Sequence, residues 1–103
     1  MSSIKIRIKR QDAACLLRIL ITHPMETGRR VDKATGATVP AHYIEEVKIN
    51  HNGQPVASAR FGTGVSRDPY LSVRLKDARP GDRIQVSWAD NLGQSDRDEA
   101  LVP

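Results

Sequence analysis

Alternation of apolar and polar residues with a period of two is the feature that most constrains how this chain can fold. Ile4, Ile6 and Ile8 alternate with basic residues, and no stretch shows apolar residues at convincing helical spacing. Such alternation is typical of a strand with one buried and one exposed face. The sequence therefore predicts an all-β protein.

Six further segments continue the pattern, with turn-forming residues between them. They cover 14–22, 43–50, 56–61, 71–75, 84–88 and 94–99. Asn52-Gly53 predicts a tight hairpin, because a type I′ turn needs positive φ at both central residues. Seven short strands separated by turns are typical of a two-sheet sandwich. The last segment carries almost no apolar residues, so we expect an exposed edge strand there.

Length and composition indicate one globular domain, 1–103. The 39% of hydrophobic residues and 27% of charged residues fit a folded chain rather than a disordered one. No apolar run approaches the roughly 20 residues that a membrane-spanning helix needs, so we predict no membrane insertion. The N-terminus alternates lysine and arginine with isoleucine, which predicts that this chain has no signal peptide.

The charge balance is moderately basic, at a formal +4 with 16 Lys and Arg. A nucleic-acid binder would cluster this charge and interleave it with aromatic residues, but only four aromatics are present and the arginines are spread along the chain. We expect a solvated basic face and no nucleic-acid partner. An electrostatic surface for an acidic protein or an anion is the alternative.

The segment from Thr22 to Arg30 concentrates the chemistry of the chain. Pro24 predicts that the preceding strand ends at or before it, and Gly28 permits a turn with positive φ. A histidine, a thioether, a carboxylate and two guanidinium groups lie in this segment. Two interpretations stay open: a strand-ending loop whose Met25 packs at the edge of the core, or a surface for a partner. The long connection that follows, 24–40, is predicted to be functional or partly ordered.

The sequence predicts no enzyme. No nucleophile motif is present, and Glu45 and Glu46 should point to opposite faces of a strand. The three histidines are too far apart for a local metal motif, so we expect solvent-facing or capping roles for His23, His42 and His51 and no catalytic, cofactor or metal residues. A metal site assembled by folding stays open.

The single cysteine excludes a disulfide within the chain. Cys15 alternates with apolar residues in the second strand, so we expect it to point into the core as a small apolar side chain. A reactive or intermolecular thiol is the alternative.

The sequence resembles the SoxZ family over roughly residues 14–95. The resemblance rests on the run THPMETGRRVDKATGATVPAHYIEEV at 22–47, on Asn52-Gly53, and on the stretches 55–59, 66–70 and 88–93. His-Pro-Met-Glu-x-Gly, Asp-Pro-Tyr and Trp-x-Asp-x-x-Gly in this order are specific together, although each is weak alone.

The resemblance implies an immunoglobulin-like β-sandwich of about seven antiparallel strands. It further implies a non-catalytic subunit of a sulfur carrier. This subunit forms a heterodimer with a SoxY-type protein, whose tail cysteine carries the sulfur. The Sox enzymes bind this heterodimer in turn. Such subunits are expected in the periplasm, exported together with the partner. We predict partner binding through the Thr22–Arg30 segment, with these candidate residues: His23, Met25, Glu26, Arg29 and Arg30.

A second class of function fits the same fold. The chain would then be a stand-alone immunoglobulin-like interaction module, self-associating as a homodimer through an exposed edge. Isolation from the native source with or without a small cysteine-tailed companion discriminates between the two.

Overall fold

Seven antiparallel strands form the whole regular structure of residues 2–12 and 14–103, the part of the chain that the structure, a computed structural model, describes. The all-β prediction is confirmed. The strands are β1 (Ile4–Gln11), β2 (Ala14–Ile21), β3 (Ile44–His51), β4 (Gln54–Arg60), β5 (Tyr70–Lys76), β6 (Arg83–Asp90) and β7 (Ser95–Leu101).

The strands form two sheets that pack as an immunoglobulin-like sandwich. One sheet has the order β1-β2-β5 and the other the order β4-β3-β6-β7. The connection 61–69 carries the chain from the second sheet back to the first. β7 lies at a sheet edge, as predicted, and its Arg97 and Glu99 are exposed whereas Asp96 and Asp98 are half-buried.

The core lies between the sheets and is formed by the inward residues of the central strands. Leu17, Ile19 and Ile21 of β2 are fully buried, as are Ile84 and Val86 of β6. Burying each such side chain stabilises the fold by roughly 1.5–3 kcal/mol relative to exposure. The period-two pattern therefore sets which face of each sheet is internal.

The β3–β4 hairpin turns at Asn52 and Gly53, whose φ values of 51° and 82° confirm the prediction. β4 begins two residues earlier than the sequence predicts. Pro55 lies inside it, beside a register shift between Ile49 and Asn50. An edge strand tolerates proline there, since a missing donor at an edge or irregularity breaks no inner ladder.

The connection between β2 and β3 is partly ordered, as its length predicts. Two isolated bridges cross it, joining Glu26 to His42 and Val31 to Thr38. The N–H of Val39 also donates to the Arg30 carbonyl at 2.7 Å. The connection is an irregular hairpin, and its residues 29–40 are mostly exposed.

A polar clasp joins the start of the chain to the edge strand β7. The N–H and the Oγ of Ser3 both donate to Oδ2 of Asp96, at 2.8 and 2.7 Å, and Nε1 of Trp88 donates to the same Oγ at 3.0 Å. The Ser3 hydroxyl and backbone N–H lower the pKa of Asp96. The clasp ties the two sheets together on one side.

Candidate functional site

The Thr22–Arg30 segment begins where β2 ends, at Ile21, and is pinned at once to the crossover connection. The N–H of His23 donates to Oδ1 of Asp68, and the N–H of Asp68 donates to the His23 carbonyl, both at 3.0 Å. Pro24 follows and ends the ladder, as predicted. This reciprocal pair fixes the direction in which the His23 ring leaves the backbone.

The His23 ring is buried, with 3% of the residue exposed. Its Nδ1 accepts the N–H of Met25 at 3.1 Å, and Met25 adopts a φ of 48°. A neutral imidazole that accepts on one nitrogen carries its proton on the other. The ring proton is therefore on Nε2, which lies 3.1 Å from Oδ2 of Asp90.

Asp90, at the end of β6, has no exposed side-chain surface and accepts hydrogen bonds on both carboxylate oxygens. Its Oδ2 accepts from Nε2 of His23 and from Nε2 of His42, the latter at 2.7 Å. Its Oδ1 accepts the backbone N–H groups of Leu92 and Gln94, which shape the β6–β7 turn. We call His23, His42 and Asp90 the histidine–aspartate cluster.

Hydrogen bonding outweighs burial in setting the charge of Asp90. Burial alone would raise the pKa of this carboxyl, but the bonds from His23, from the Gln94 N–H, from His42 and from the Leu92 N–H together lower it. The group is therefore an anion and acts only as an acceptor. Both histidines must then donate from Nε2.

The cluster has the composition of a metal site, but its protons are in the wrong places for one. Its three ligand atoms lie within 4.8 Å of one another. A metal beside Asp90 would need the Nε2 lone pair of His23, whereas the Met25 N–H keeps the His23 proton on that nitrogen. Every buried side-chain nitrogen and oxygen in the described residues has a hydrogen-bond partner. The cluster in this geometry locks strand ends together and does not fit a cation.

Aromatic and sulfur contacts also hold the residues around the histidine–aspartate cluster in place. Trp88 stands edge-on to the His23 ring at 5.1 Å between centroids, and His42 does so at 4.6 Å. Met25 is 5% exposed, and its Sδ accepts the N–H of Ile44, the first residue of β3, at 3.3 Å. The end of β2 and the start of β3 are thus held against the end of β6.

Among the five candidate residues of the segment, only Glu26, Arg29 and Arg30 reach the surface. Glu26 is half-buried, and both of its carboxylate oxygens accept from Nε of Arg30, at 3.0 and 3.1 Å. This contact raises the pKa of Arg30. Arg29 is exposed, and its N–H caps the turn through Oγ1 of Thr27. Gly28 has the predicted positive φ, at 86°.

The structure thus divides the five predicted partner-binding residues. The side chains of His23 and Met25 lie inside and can serve an interface only by holding the segment in place. Glu26, Arg29 and Arg30 are the members that a partner could touch, and their role stays a prediction.

Two members of the cluster, His42 and Asp90, were not singled out as a site by the sequence. One signal was available for Asp90. It continues the inward series of Ile84, Val86 and Trp88, so the alternation along β6 predicts that the Asp90 carboxylate faces inward. A buried carboxylate needs donors, and histidines elsewhere in the chain could supply them.

His51 is half-buried, so it is not the solvent-facing residue that the sequence suggested. Its Nε2 lies 2.7 Å from Oδ2 of Asp82, which also accepts the Arg79 N–H. The Arg79 N–H, the His51 ring and Asn52 lower the pKa of Asp82 to about 2. This pair closes the opposite end of the β3–β6 ladder and is separate from the cluster.

Cys15 is 1% exposed and belongs to the core, as predicted. It pairs with Leu75 across β2 and β5. Its neighbours on the inward face are apolar, so it serves as a small core residue.

These features define an immunoglobulin-like β-sandwich with a buried histidine–aspartate cluster and a long, mostly exposed connection between β2 and β3. The chain belongs to the SoxZ family: the family described as sulphur oxidation protein SoxZ matches residues 4–101, nearly the whole chain. The protein is therefore a member of the sulfur-oxidation (Sox) system, and its resemblance to this family is confirmed.

Solved structures agree with the fold. The chain is similar to a superoxide reductase in the oxidised state, with a TM-score of 0.70 and 15% identity over 99% of this chain and 88% of that one. It is also similar to a hypothetical protein from Pyrococcus horikoshii OT3, with a TM-score of 0.69 and 14% identity over 97% and 87%. Likenesses at this identity show the fold alone. No curated protein matches the chain.

Proposed function

We propose that this chain is the non-catalytic subunit of a heterodimeric sulfur carrier. Its partner is a SoxY-type protein whose tail cysteine holds the sulfur intermediate during thiosulfate oxidation. This chain supplies a rigid platform and helps to dock the Sox enzymes. The heterodimer works in the periplasm and is exported through the partner's signal. Among residues 2–12 and 14–103 there is no helix long and apolar enough to cross a membrane.

Burial of the sole cysteine is the observation that carries the proposal. A sulfur carrier must present its thiol to enzyme active sites, and a reactive thiol is partly exposed in a polar environment. Cys15 is 1% exposed and surrounded by core residues such as Leu17. In a member of the Sox system that cannot offer its own thiol, another chain must provide it.

Co-isolation with a companion tests the proposal against the self-associating module. A tagged copy purified from the native host should bring down a small cysteine-tailed protein in equal amount. A homodimer without that companion would contradict the carrier function. The edges of the four-stranded sheet argue against self-pairing, since β4 carries Pro55 and β7 carries Asp96, Arg97, Asp98 and Glu99.

Replacing Cys15 by alanine should leave sulfur loading of the heterodimer intact. The smaller core side chain should cost about 1 kcal/mol of stability, because it loses one buried sulfur without adding a polar group. Intact mass spectrometry during thiosulfate turnover should find the adduct on the companion in both the parent and the Cys15→Ala heterodimer. An adduct on this chain that disappears in the folded variant would contradict the proposal.

Reversing Arg29 and Arg30 together should weaken the heterodimer. Only Nε of Arg30 is bonded to Glu26, so within the described residues its terminal nitrogens remain available to a carboxylate on a partner. We expect Arg29→Glu with Arg30→Glu to raise the Kd about tenfold or more, since like charges at an interface repel.

Arg29→Lys with Arg30→Lys is the matched control. It keeps both charges but loses the planar fork of donors that binds a carboxylate with two bonds. An intermediate Kd would indicate paired hydrogen bonds at the interface. An unchanged Kd for the reversed variant would remove Arg29 and Arg30 from the partner surface.

A further inference from the structure

The fold gathers basic side chains on the outer face of the three-stranded sheet. In the register of β1, β2 and β5, outward residues align in rows across the sheet. One row holds Arg7 and Arg18, and the next holds Lys9 and Arg74. We call the outward basic residues of this sheet the basic face: Lys5, Arg7, Lys9, Arg18, Arg74 and Lys76.

No acidic residue belongs to β1, β2 or β5, so nothing on the strands balances this charge. None of the six side chains forms an ion pair within the described residues. The other sheet differs, because Lys48 pairs with Glu46 there and Arg83 with Glu99. The charge of this protein is therefore divided between a mixed face and an unbalanced one.

This unbalanced charge works against folding. Arg7 and Arg18 are direct cross-strand partners, and like charges in that position destabilise a sheet. Neighbouring strands lie about 4.8 Å apart, so adjacent rows and strands sit within the screening length of about 8 Å at physiological salt. A pattern that costs stability in the free protein calls for a ligand that offsets it.

Apolar side chains interrupt the charge and point to the kind of ligand. Leu20 and Tyr70 share a row with Lys5 and are 41% and 58% exposed. Leu16 lies half-buried in the row of Lys9. Mixed apolar and cationic contacts suit a folded protein surface. Single-stranded nucleic acid would need several stacking aromatics, whereas this face offers one.

We propose that the basic face is an electrostatic docking surface for the acidic surface of a folded protein. The inference rests on the proposed carrier function, since it takes that protein to be an enzyme that the heterodimer visits. A carrier that serves several enzymes must bind and leave each of them quickly. Long-range attraction raises the association rate without slowing release, which meets that need.

Charge reversal at the centre of the face tests the proposal. The probe is the purified native heterodimer against each purified Sox enzyme of the same host, with association followed by stopped flow at several salt concentrations. Arg7→Glu with Arg18→Glu should lower the association rate about tenfold or more at low salt and flatten its salt dependence. The dissociation rate should change little.

The matched control reverses Arg60 and Arg97, which face outward on the four-stranded sheet. Both double variants lower the formal net charge of +4 by the same amount. Equal slowing by both would mean that net charge and not the basic face steers association, and would overturn the proposal. Unchanged rates for the Arg7 and Arg18 variant would do the same.

Other occupants give distinct results. Loss of the heterodimer in the Arg7→Glu, Arg18→Glu variant would show that the basic face is the interface between the subunits. That result would overturn the proposal of enzyme docking. Salt-dependent retention of the parent on duplex DNA, lost in the variant, would assign the face to nucleic acid and overturn it too. A companion that never co-isolates would instead refute the carrier function, so the two failures are distinguishable.

A single reversal separates docking from folding. Arg7→Glu replaces the repulsive pair with Arg18 by an attractive one, so the Tm should equal or exceed that of the parent. Its association with the enzymes should nevertheless be slower. A lower Tm together with normal association would show that the arginines serve the fold, and would overturn the proposal.

Discussion

Replacing Asp90 by alanine should lower the free energy of unfolding by about 3–5 kcal/mol, because it removes the buried acceptor for two imidazole and two backbone donors. The side chain has no exposed surface and its Oδ2 lies 3.1 and 2.7 Å from the two rings. The loss is a large fraction of the roughly 5–15 kcal/mol that stabilises a typical domain. Urea unfolding at pH 7 followed by Trp88 fluorescence measures it.

Asp90→Asn provides a shape-matched control. Its amide oxygen can still accept the N–H groups of Leu92 and Gln94, but its NH₂ group meets the Nε2 protons of both histidines. His42 is 22% exposed and can move its proton to Nδ1, so that its Nε2 accepts from the amide. His23 cannot move its proton to Nδ1 without opposing the Met25 N–H. We therefore expect an intermediate loss of about 1–3 kcal/mol, typical of one unsatisfied buried donor. Equal stability of the Asp90→Asn variant and the parent protein would contradict the tautomer assigned to His23.

The loss of stability at low pH gives a second measurement of the histidine–aspartate cluster. The folded state holds the pKa of Asp90 below its ordinary value of 3.8. The contribution of the Asp90 carboxylate to the free energy of unfolding is therefore complete above pH 3.8. It is lost as the pH falls through the folded pKa of Asp90. Asp90→Asn should have a shallower loss of stability below pH 3.8. Some dependence should remain down to about pH 2, the folded pKa of Asp82.

The sandwich was predictable because its information is local. A period of two fixes which side chains of a strand face inward, and Asn52-Gly53 fixes one hairpin. The histidine–aspartate cluster is not local, since Asp90 is 67 positions from His23 and 48 from His42. Only the ends of three strands meeting at one point bring these residues together, and no spacing rule in the chain encodes that.

The basic face shows the same limit in another form. Lys5, Arg7 and Lys9 are visible as an alternating run, but Arg18 and Arg74 join them only through the register of β2 with its two neighbours. Sequence separation made the arginines look evenly spread. Strand pairing, which the sequence leaves open among many arrangements, concentrates them on one surface.

The largest backbone effect should come from Met25, where the usual order of alanine and glycine substitutions should disappear or reverse. Met25 is buried and has a φ of 48°, a left-handed conformation that costs a residue with a Cβ roughly 1–2 kcal/mol. Met25→Ala loses the buried side chain and keeps that strain, for a total loss of about 2–5 kcal/mol. Met25→Gly loses slightly more side chain but relieves the strain.

Two opposing effects set the difference between these variants. Glycine gains conformational freedom in the unfolded chain, which favours alanine by about 0.4–1 kcal/mol at an ordinary site. Relief of the left-handed strain at Met25 is larger, so Met25→Gly should be as stable as Met25→Ala or more stable by up to about 1 kcal/mol. Paired urea curves on the two proteins measure this difference directly. A glycine variant less stable than the alanine variant by about 1 kcal/mol would contradict it.

Met25→Leu isolates the role of the sulfur. Leucine fills a similar volume with the same backbone strain but cannot accept the Ile44 N–H, which the thioether bonds at 3.3 Å. We expect a loss of about 1–2 kcal/mol, the size of one unsatisfied buried donor. Amide hydrogen exchange should show faster exchange at Ile44 in Met25→Leu. Unchanged protection of that amide would mean that Met25 stabilises the segment by packing alone. The histidine–aspartate cluster would then be what holds Arg29 and Arg30 in position.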